Sequence, residues 1–295
     1  MTGGEPGAPG YDPDYVRRHY DELGEREWTR FEASPGNPLA PGNQVNLHLH
    51  LWHLRRHIRD GDHVLDIGAG PGRFTLELAR LGARITVGDI SPVQLDLNQR
   101  TVREAEFEAA VVDRTQIDVV DLSAFRTDQF DAVVCYGGAL SYVFDRADQA
   151  LAELLRVTKP GGRVLVSVMS LLGTSRRFLS EMLDLATRHG TGVVNDLFTT
   201  HDQVGILAGG HLFRYFTWAS LQALLARHAC TILDASAANF LAIGNNEGLL
   251  ANLLHGPDSG LWADYLAWEV ECCRQPGAID GGTHIIAVLQ KALPE

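Results

Sequence analysis

Apolar residues along this chain gather into short runs separated by amphipathic stretches. The runs predict strands near 63–67, 84–89, 115–119, 130–136 and 162–169. Between them, helical patterns lie near 72–81, 92–109 and 146–158. Alternation of this kind gives a parallel sheet, because each crossover helix returns the chain to the same end of the sheet, and helices cover both faces. After residue 170 the alternation stops. A segment from about 171 to 215 carries polar residues, Gly209-Gly210 and several aromatics, as an inserted lid would, and Thr217 then caps a helix near 218–228. Strands near 230–236 and 283–290 complete a sheet of seven. Helical patterns near 246–253 and 260–273 cover one edge.

The front of the chain has a different texture. Residues 1–12 are rich in Gly and Pro with almost nothing to bury and are expected to form a disordered tail. Tyr11 to Glu32 then carries Tyr15, Tyr20, Trp28 and Phe31 among many charges, a pattern for a helix laid against an apolar surface. Residues 13–44 are therefore read as a helical lid and 45–292 as one continuous domain. No internal repeat interrupts it.

The most informative segment is Val64-Leu65-Asp66-Ile67-Gly68-Ala69-Gly70-Pro71-Gly72-Arg73-Phe74, with Asp89 at the end of the next apolar run. A strand that breaks into glycines and restarts as a helix lets backbone come within contact distance of a ligand, since glycine has no Cβ to obstruct it. A dinucleotide turn places its third glycine three residues after the second, for close packing beneath a pyrophosphate. Here Arg73 holds that position, so an unphosphorylated nucleoside fits better. The carboxylate of Asp89, about twenty residues past the loop, can accept hydrogen bonds from two ribose hydroxyls.

With these residues the chain resembles the class I S-adenosylmethionine (SAM)-dependent methyltransferases, and the resemblance covers most of residues 45–290. Ile117-Asp118-Val119-Val120-Asp121-Leu122 resembles the family's adenine-edge motif. Phe130 to Gly138 resembles its fourth strand and the loop beyond, and Leu155 to Gly162 followed by Arg163 to Val168 resembles the turn into its fifth. The resemblance implies an α/β fold: a Rossmann-like, seven-stranded, mostly parallel sheet with helices on both faces, the last strand antiparallel. It also implies SAM as cofactor and S-adenosylhomocysteine as product. Asp66, Gly68, Ala69, Gly70, Asp89 and Ile90 would then belong to the cofactor site. Asp118 would meet the exocyclic amine and the Val119 amide the adenine ring, with backbone near Cys135 holding the methionine amino group. Glu27-Trp28-Thr29-Arg30-Phe31-Glu32 is similar to a Glu-Trp-x-Arg-Leu-Glu segment of one bacterial branch, and Arg30 or Tyr20 would clamp the methionine carboxylate.

Charge narrows the partners. Lys and Arg number 25 against 37 Asp and Glu, for a net charge of −12, so long-range attraction to nucleic acid or anionic lipid is absent. A small organic methyl acceptor is expected, with no nucleic-acid or membrane partner. Cys135, Cys230, Cys272 and Cys273 lack metal-finger spacing. With no apolar stretch of bilayer length and no signal-like start, a cytoplasmic setting is expected.

Methyl transfer to an oxygen, nitrogen or carbon nucleophile asks mainly for alignment, because the sulfonium already activates the methyl group. Well-oriented reactants gain about 7–11 kcal/mol from proximity, whereas one general base contributes roughly two to four powers of ten. Tyr136, Tyr142, Phe213, Tyr215 and Phe216 are candidates for an aromatic wall. His201 and His211 in the lid are candidate proton acceptors, with His211 preferred, and Tyr136 is the second candidate catalytic residue. His48, His50, His53 and His57 share a helical segment, but no carboxylate or cysteine accompanies them at ligand spacing, so no metal is assigned. Two other readings stay open. A protein could bind SAM without spending its methyl, as a regulator or a cyclisation catalyst. A nicotinamide oxidoreductase would need a small residue in place of Arg73.

Overall fold

A computed structural model describes residues 10–32, 40–203, 212–243, 247–255 and 259–294. Nine strands are named along these residues: β1 His63–Ile67, β2 Arg84–Asp89, β3 Val111–Gln116, β4 Phe130–Cys135, β5 Thr158–Met169, β6 Asp202–Gln203, β7 Phe213–Arg214, β8 Cys230–Ala237 and β9 His284–Lys291. Seven of them form one sheet in the order β3-β2-β1-β4-β5-β9-β8. β9 runs antiparallel to both neighbours, and the other pairings are parallel. The expected seven-stranded, mostly parallel architecture is therefore present.

Alternation along the central strands builds two cores. Leu65, Ile67, Val133, Val164 and Val166 point to one face, where the helices Ala147–Val157 and Trp218–Leu225 cover them. Val64, Ala132, Val134 and Leu165 point to the other, beneath the helices Ala40–His57, Arg73–Arg80 and Trp262–Cys273. In Ala147–Val157 the buried residues Ala147, Ala150, Leu151, Leu154 and Leu155 recur at helical spacing, so one stripe faces the sheet. Leu154 is fully buried, and its truncation to Ala would cost about 2–5 kcal/mol.

Several boundaries differ from expectation for identifiable reasons. β3 begins at Val111 and ends at Gln116, before the acidic motif. The carboxylate of Asp118 accepts the Val120 amide, and its carbonyl accepts the Asp121 amide, so this segment turns instead of extending the strand. The helix after β2 stops at Glu104 because Glu106 takes a left-handed conformation (φ 64°). The N-terminal helical segment is divided into Pro13–Leu23 and Arg26–Thr29 at Gly24, whose φ of 51° ends the first helix. Of the expected tail, residues 1–9 lie outside the described residues. Tyr11 and Asp12 do not belong to a tail, since Asp12 caps the first helix by accepting the Asp14 and Tyr15 amides.

The segment after β5 is largely helical. Leu171–Arg177, Leu179–His189 and Gly192–Thr200 follow one another, and β6 pairs with β7. Met182, Leu185 and Leu197 are buried here. A third, smaller core joins this insertion to the N-terminal helix, with Val16, Tyr142, Leu171, Met182, Phe213 and Tyr215 packed together. Among the described residues no helix is long and apolar enough to cross a membrane.

Candidate active site

A cavity of about 550 Å³ opens at the carboxyl ends of β1, β2 and β4, within the ~300–1,000 Å³ range of small-molecule sites. One end is the glycine turn. Gly68 and Gly70 take φ values of 67° and 53°, which a side chain would strain. The turn is tied to β2 by the Gly68 amide, which donates to the Gly88 carbonyl at 2.8 Å. Asp89, only 6% exposed, accepts the Gly70 amide on Oδ2 and the Ser91 amide on Oδ1, both at 2.8 Å. Each oxygen keeps a further lone pair. Burial pushes this carboxyl up to about 6, against the pull of the amides that hydrogen-bond it.

Of the sequence-assigned cofactor residues, Gly68, Ala69, Gly70, Asp89, Ile90, Asp118 and Val119 line the cavity, as do Tyr20 and Arg30 from the N-terminal segment. Asp66 and Cys135 do not. Asp66 is buried behind the turn, where it accepts the Thr75 hydroxyl at 2.6 Å, and Thr75 in turn accepts from the Asn98 amide. This chain of bonds seats the helix that follows the loop. Burial raises Asp66 to about 7, the Thr75 bond opposing and Asp89 adding. Cys135 is fully buried within β4, in the core under the helix Ala147–Val157.

Arg73 does more than occupy the place of a third glycine. Its guanidinium donates to the carbonyls of Glu27 and Trp28 and lies 3.8 Å from the Phe31 ring centroid and 4.8 Å from that of Trp28. Ser91 donates to Asp21, and Gln94 donates to the Tyr20 and Gly24 carbonyls. The N-terminal segment is thus fastened to the cofactor end at several points. Tyr11, which composition hides in the tail, adds another: its hydroxyl donates to Asp118 Oδ2 at 2.6 Å.

The other end carries an aromatic and aliphatic wall, with Arg177 and Glu181 also on the lining. Tyr142, Phe213 and Tyr215 line it with Met169, Met182 and Leu197. Phe216 of the expected wall is instead buried in the core beside Trp218–Leu225, because the two-residue period turns it away from Phe213 and Tyr215. His211 lies outside the described residues. His201 ends the helix Gly192–Thr200 in a left-handed conformation, away from the cavity lining.

Beside this wall sits a group that sequence reasoning did not single out for catalysis. His50 is buried, and its Nδ1 lies 2.8 Å from the Asn46 carbonyl, which can only accept, so Nδ1 carries the proton. Nε2 is left with its lone pair, buried and without a hydrogen-bond partner. Burial holds the imidazole neutral by lowering it to about 4. The hydroxyl of Tyr136, 4.7 Å away ring to ring, is likewise buried and unpartnered. Asn46 donates to Thr283 at 3.2 Å and contacts His284 Nδ1 at 3.1 Å, fixing the helix of His50 against the start of β9. All five of these residues line the cavity.

Comparison with known proteins places this geometry. Residues 65–166 match a family model described as a methyltransferase domain. The chain is 31% identical over 175 residues to a ubiquinone biosynthesis O-methyltransferase of Xanthomonas oryzae pv. oryzae, covering 57% of this chain and 69% of that protein. It is 36% identical over 110 residues to a demethylmenaquinone methyltransferase of Clavibacter sepedonicus, covering 37% of this chain and 42% of that one. Among solved structures, magnesium protoporphyrin IX methyltransferase from Synechocystis with bound SAM superposes with a TM-score of 0.59 at 13% identity, covering 99% of this chain and all (100%) of that one. The cyclase SpnF superposes with a TM-score of 0.59 at 18% identity, covering 98% and 100%. The chain belongs to the class I SAM-dependent methyltransferases, and SAM is its cofactor. The residues present fit that group: a buried carboxylate with spare lone pairs faces a turn that admits close backbone approach, and Arg73 stands where a pyrophosphate turn needs a small residue.

Proposed function

We propose that this methyltransferase acts on a small, largely apolar, ring-bearing acceptor through a hydroxyl group, with both substrates enclosed in one cavity. When bound, SAM supplies an activated methyl group and departs as S-adenosylhomocysteine. Asp89 would accept the ribose hydroxyls, and Asp118 and the Val119 amide would meet the adenine edge with Ile90 against the ring. Tyr20 and Arg30 would hold the methionine carboxylate. Asp66 would work at one remove, by seating the glycine turn through Thr75. Cys135 would contribute only through nearby backbone.

On the acceptor side, Met169, Met182, Leu197, Phe213 and Tyr215 would hold an apolar ring and exclude water. His50 Nε2 would take the hydroxyl proton as the oxygen lone pair reaches the methyl carbon. Tyr136 would donate its hydroxyl hydrogen bond to orient the acceptor. The observation that carries this proposal is the pair of buried, unpartnered polar atoms, His50 Nε2 and Tyr136 Oη, on the cavity lining beside the aromatic wall: a buried polar group without a partner is costly and is relieved by a ligand. A small acceptor in a cytoplasmic setting also agrees with the net charge of −12 and four free cysteines.

The test is release of S-adenosylhomocysteine from SAM with a panel of phenols, catechols and hydroquinones. Product should form only with an acceptor, and His50→Ala should lower kcat about 100-fold or more while SAM affinity stays within twofold. If SAM binds but hydroxyl, amine and carbon acceptors all leave it intact, the protein holds the sulfonium without spending it. Unchanged turnover in His50→Ala would remove the proton-acceptor role.

A further inference from the structure

We propose that His53, His57 and Asp234 form a site for a divalent transition metal, with zinc the best match, clipping the helix Ala40–His57 to the outer strand β8. His53 and His57 are four residues apart and so share a face of that helix. Asp234 comes from β8. Its Oδ2 lies 3.7 Å from His53 Nδ1 and 3.7 Å from His57 Nε2, and the three atoms are all within 4.8 Å of one another. These separations exceed hydrogen-bond length. They approach the roughly 3.3 Å between donors of a tetrahedral ion bound at ~2.0–2.1 Å.

His53 Nδ1 and His57 Nε2 are buried without a hydrogen-bond partner, and the His53 side chain is 0% exposed. Two buried, unpartnered ring nitrogens converging on one carboxylate oxygen form an arrangement that a cation relieves. The remaining nitrogen of His53, Nε2, lies 2.8 Å from Ser236 Oγ. When Nε2 donates to that hydroxyl, Nδ1 carries the lone pair, the tautomer that a metal requires and the kind of outer-shell bond that orients ligating histidines. Arg274 Nε sits 3.8 Å from Asp234 Oδ1 while its guanidinium lies over Trp52, so it neutralises the far oxygen and leaves Oδ2 to the ion. Two imidazoles favour zinc over magnesium or calcium, which prefer oxygen.

The site is separate from the methyl-transfer cavity, since none of its ligands lines that space. His50 does, one turn earlier on the same helix. The sequence offered the two histidines but hid the carboxylate, which is far away along the chain.

Titration calorimetry of chelator-treated full chain with zinc chloride tests the proposal. One equivalent should bind with micromolar or tighter affinity, magnesium chloride should give no heat, and Tm should rise by several degrees. His57→Gln and Asp234→Asn should each weaken zinc at least 100-fold and leave SAM affinity unchanged. Cobalt chloride added to the unmutated protein should give the visible bands of a tetrahedral ion, a readout independent of how the variants fold. No stoichiometric zinc, or an affinity for zinc in both variants equal to that of the unmutated protein, would overturn the site and leave a histidine–carboxylate contact in its place.

Discussion

The glycine-turn end of the cavity is held by backbone geometry and hydrogen bonds, whereas the acceptor end is held by side-chain packing. At the first, two amides fix the Asp89 carboxylate and left-handed glycines fix the turn. At the second, Met182, Leu197, Phe213 and Tyr215 come from the segment after β5 and cluster with Val16 of the N-terminal helix and with Tyr142. The contrast teaches where tolerance lies. A hydrogen-bonded site demands particular atoms, while an apolar wall demands volume and dryness, so substitutions should change which acceptor is used before they change the cofactor.

The sharpest way to break this comparison is Asp89→Ala. The two charge-assisted hydrogen bonds proposed to the ribose would be worth about 3 kcal/mol together, so SAM affinity measured by calorimetry should fall about 100-fold or more. A loss under threefold would mean that the cofactor end does not depend on this carboxylate.

Asp66→Asn should separate the structural role from the binding role. Burial raises the folded pKa to about 7 from 3.8, so the protonated form is favoured by folding. Its stabilisation is complete below the unfolded value and is lost as pH rises to about 7. The Asn variant cannot ionise, so urea unfolding should find it comparable to wild type near pH 4.5 and more stable at pH 8, by on the order of 2 kcal/mol. Parallel stability curves across that window would discard the assignment.

At the apolar end, Met182→Ala should lower kcat/KM for the best acceptor about tenfold with SAM affinity within twofold. An equal loss for cofactor and acceptor would erase the distinction between the two ends. Smallest of the four, Arg73→Ala should quicken SAM dissociation about fivefold, through loss of its bonds to the Glu27 and Trp28 carbonyls and its stacking. Stopped-flow fluorescence of Trp28 reports it, and an unchanged rate would mean that the N-terminal segment does not gate the cofactor.

The same contrast explains what the sequence could disclose. Gly68, Gly70 and Asp89 form a local pattern at βαβ spacing, and their geometry follows from the strand-turn-helix itself. Asp118 was legible as chemistry but not as conformation, because its own side chain builds the turn that ends β3 early. Tyr11 was concealed by the Gly- and Pro-rich residues before it, and only the folded chain brings its hydroxyl to Asp118. The helices of the segment after β5 were not legible because they expose much of their surface, including Leu179, Leu183 and Phe198, which blurs their periodicity. His50 stood out as the proposed base only when Tyr136, just past β4, and His284 from β9 met it in the folded chain. No local pattern encodes such a meeting.

The placement of β9 between β5 and β8 also orders events during synthesis. The ribosome emits β8 before the strand that will separate it from β5, so β8 waits without a lateral partner. Thr283 and His284 arrive with that late strand. A nascent chain therefore has its glycine turn well before Thr283 and His284 complete the cavity lining, and the sheet closes only when β9 enters between β5 and β8.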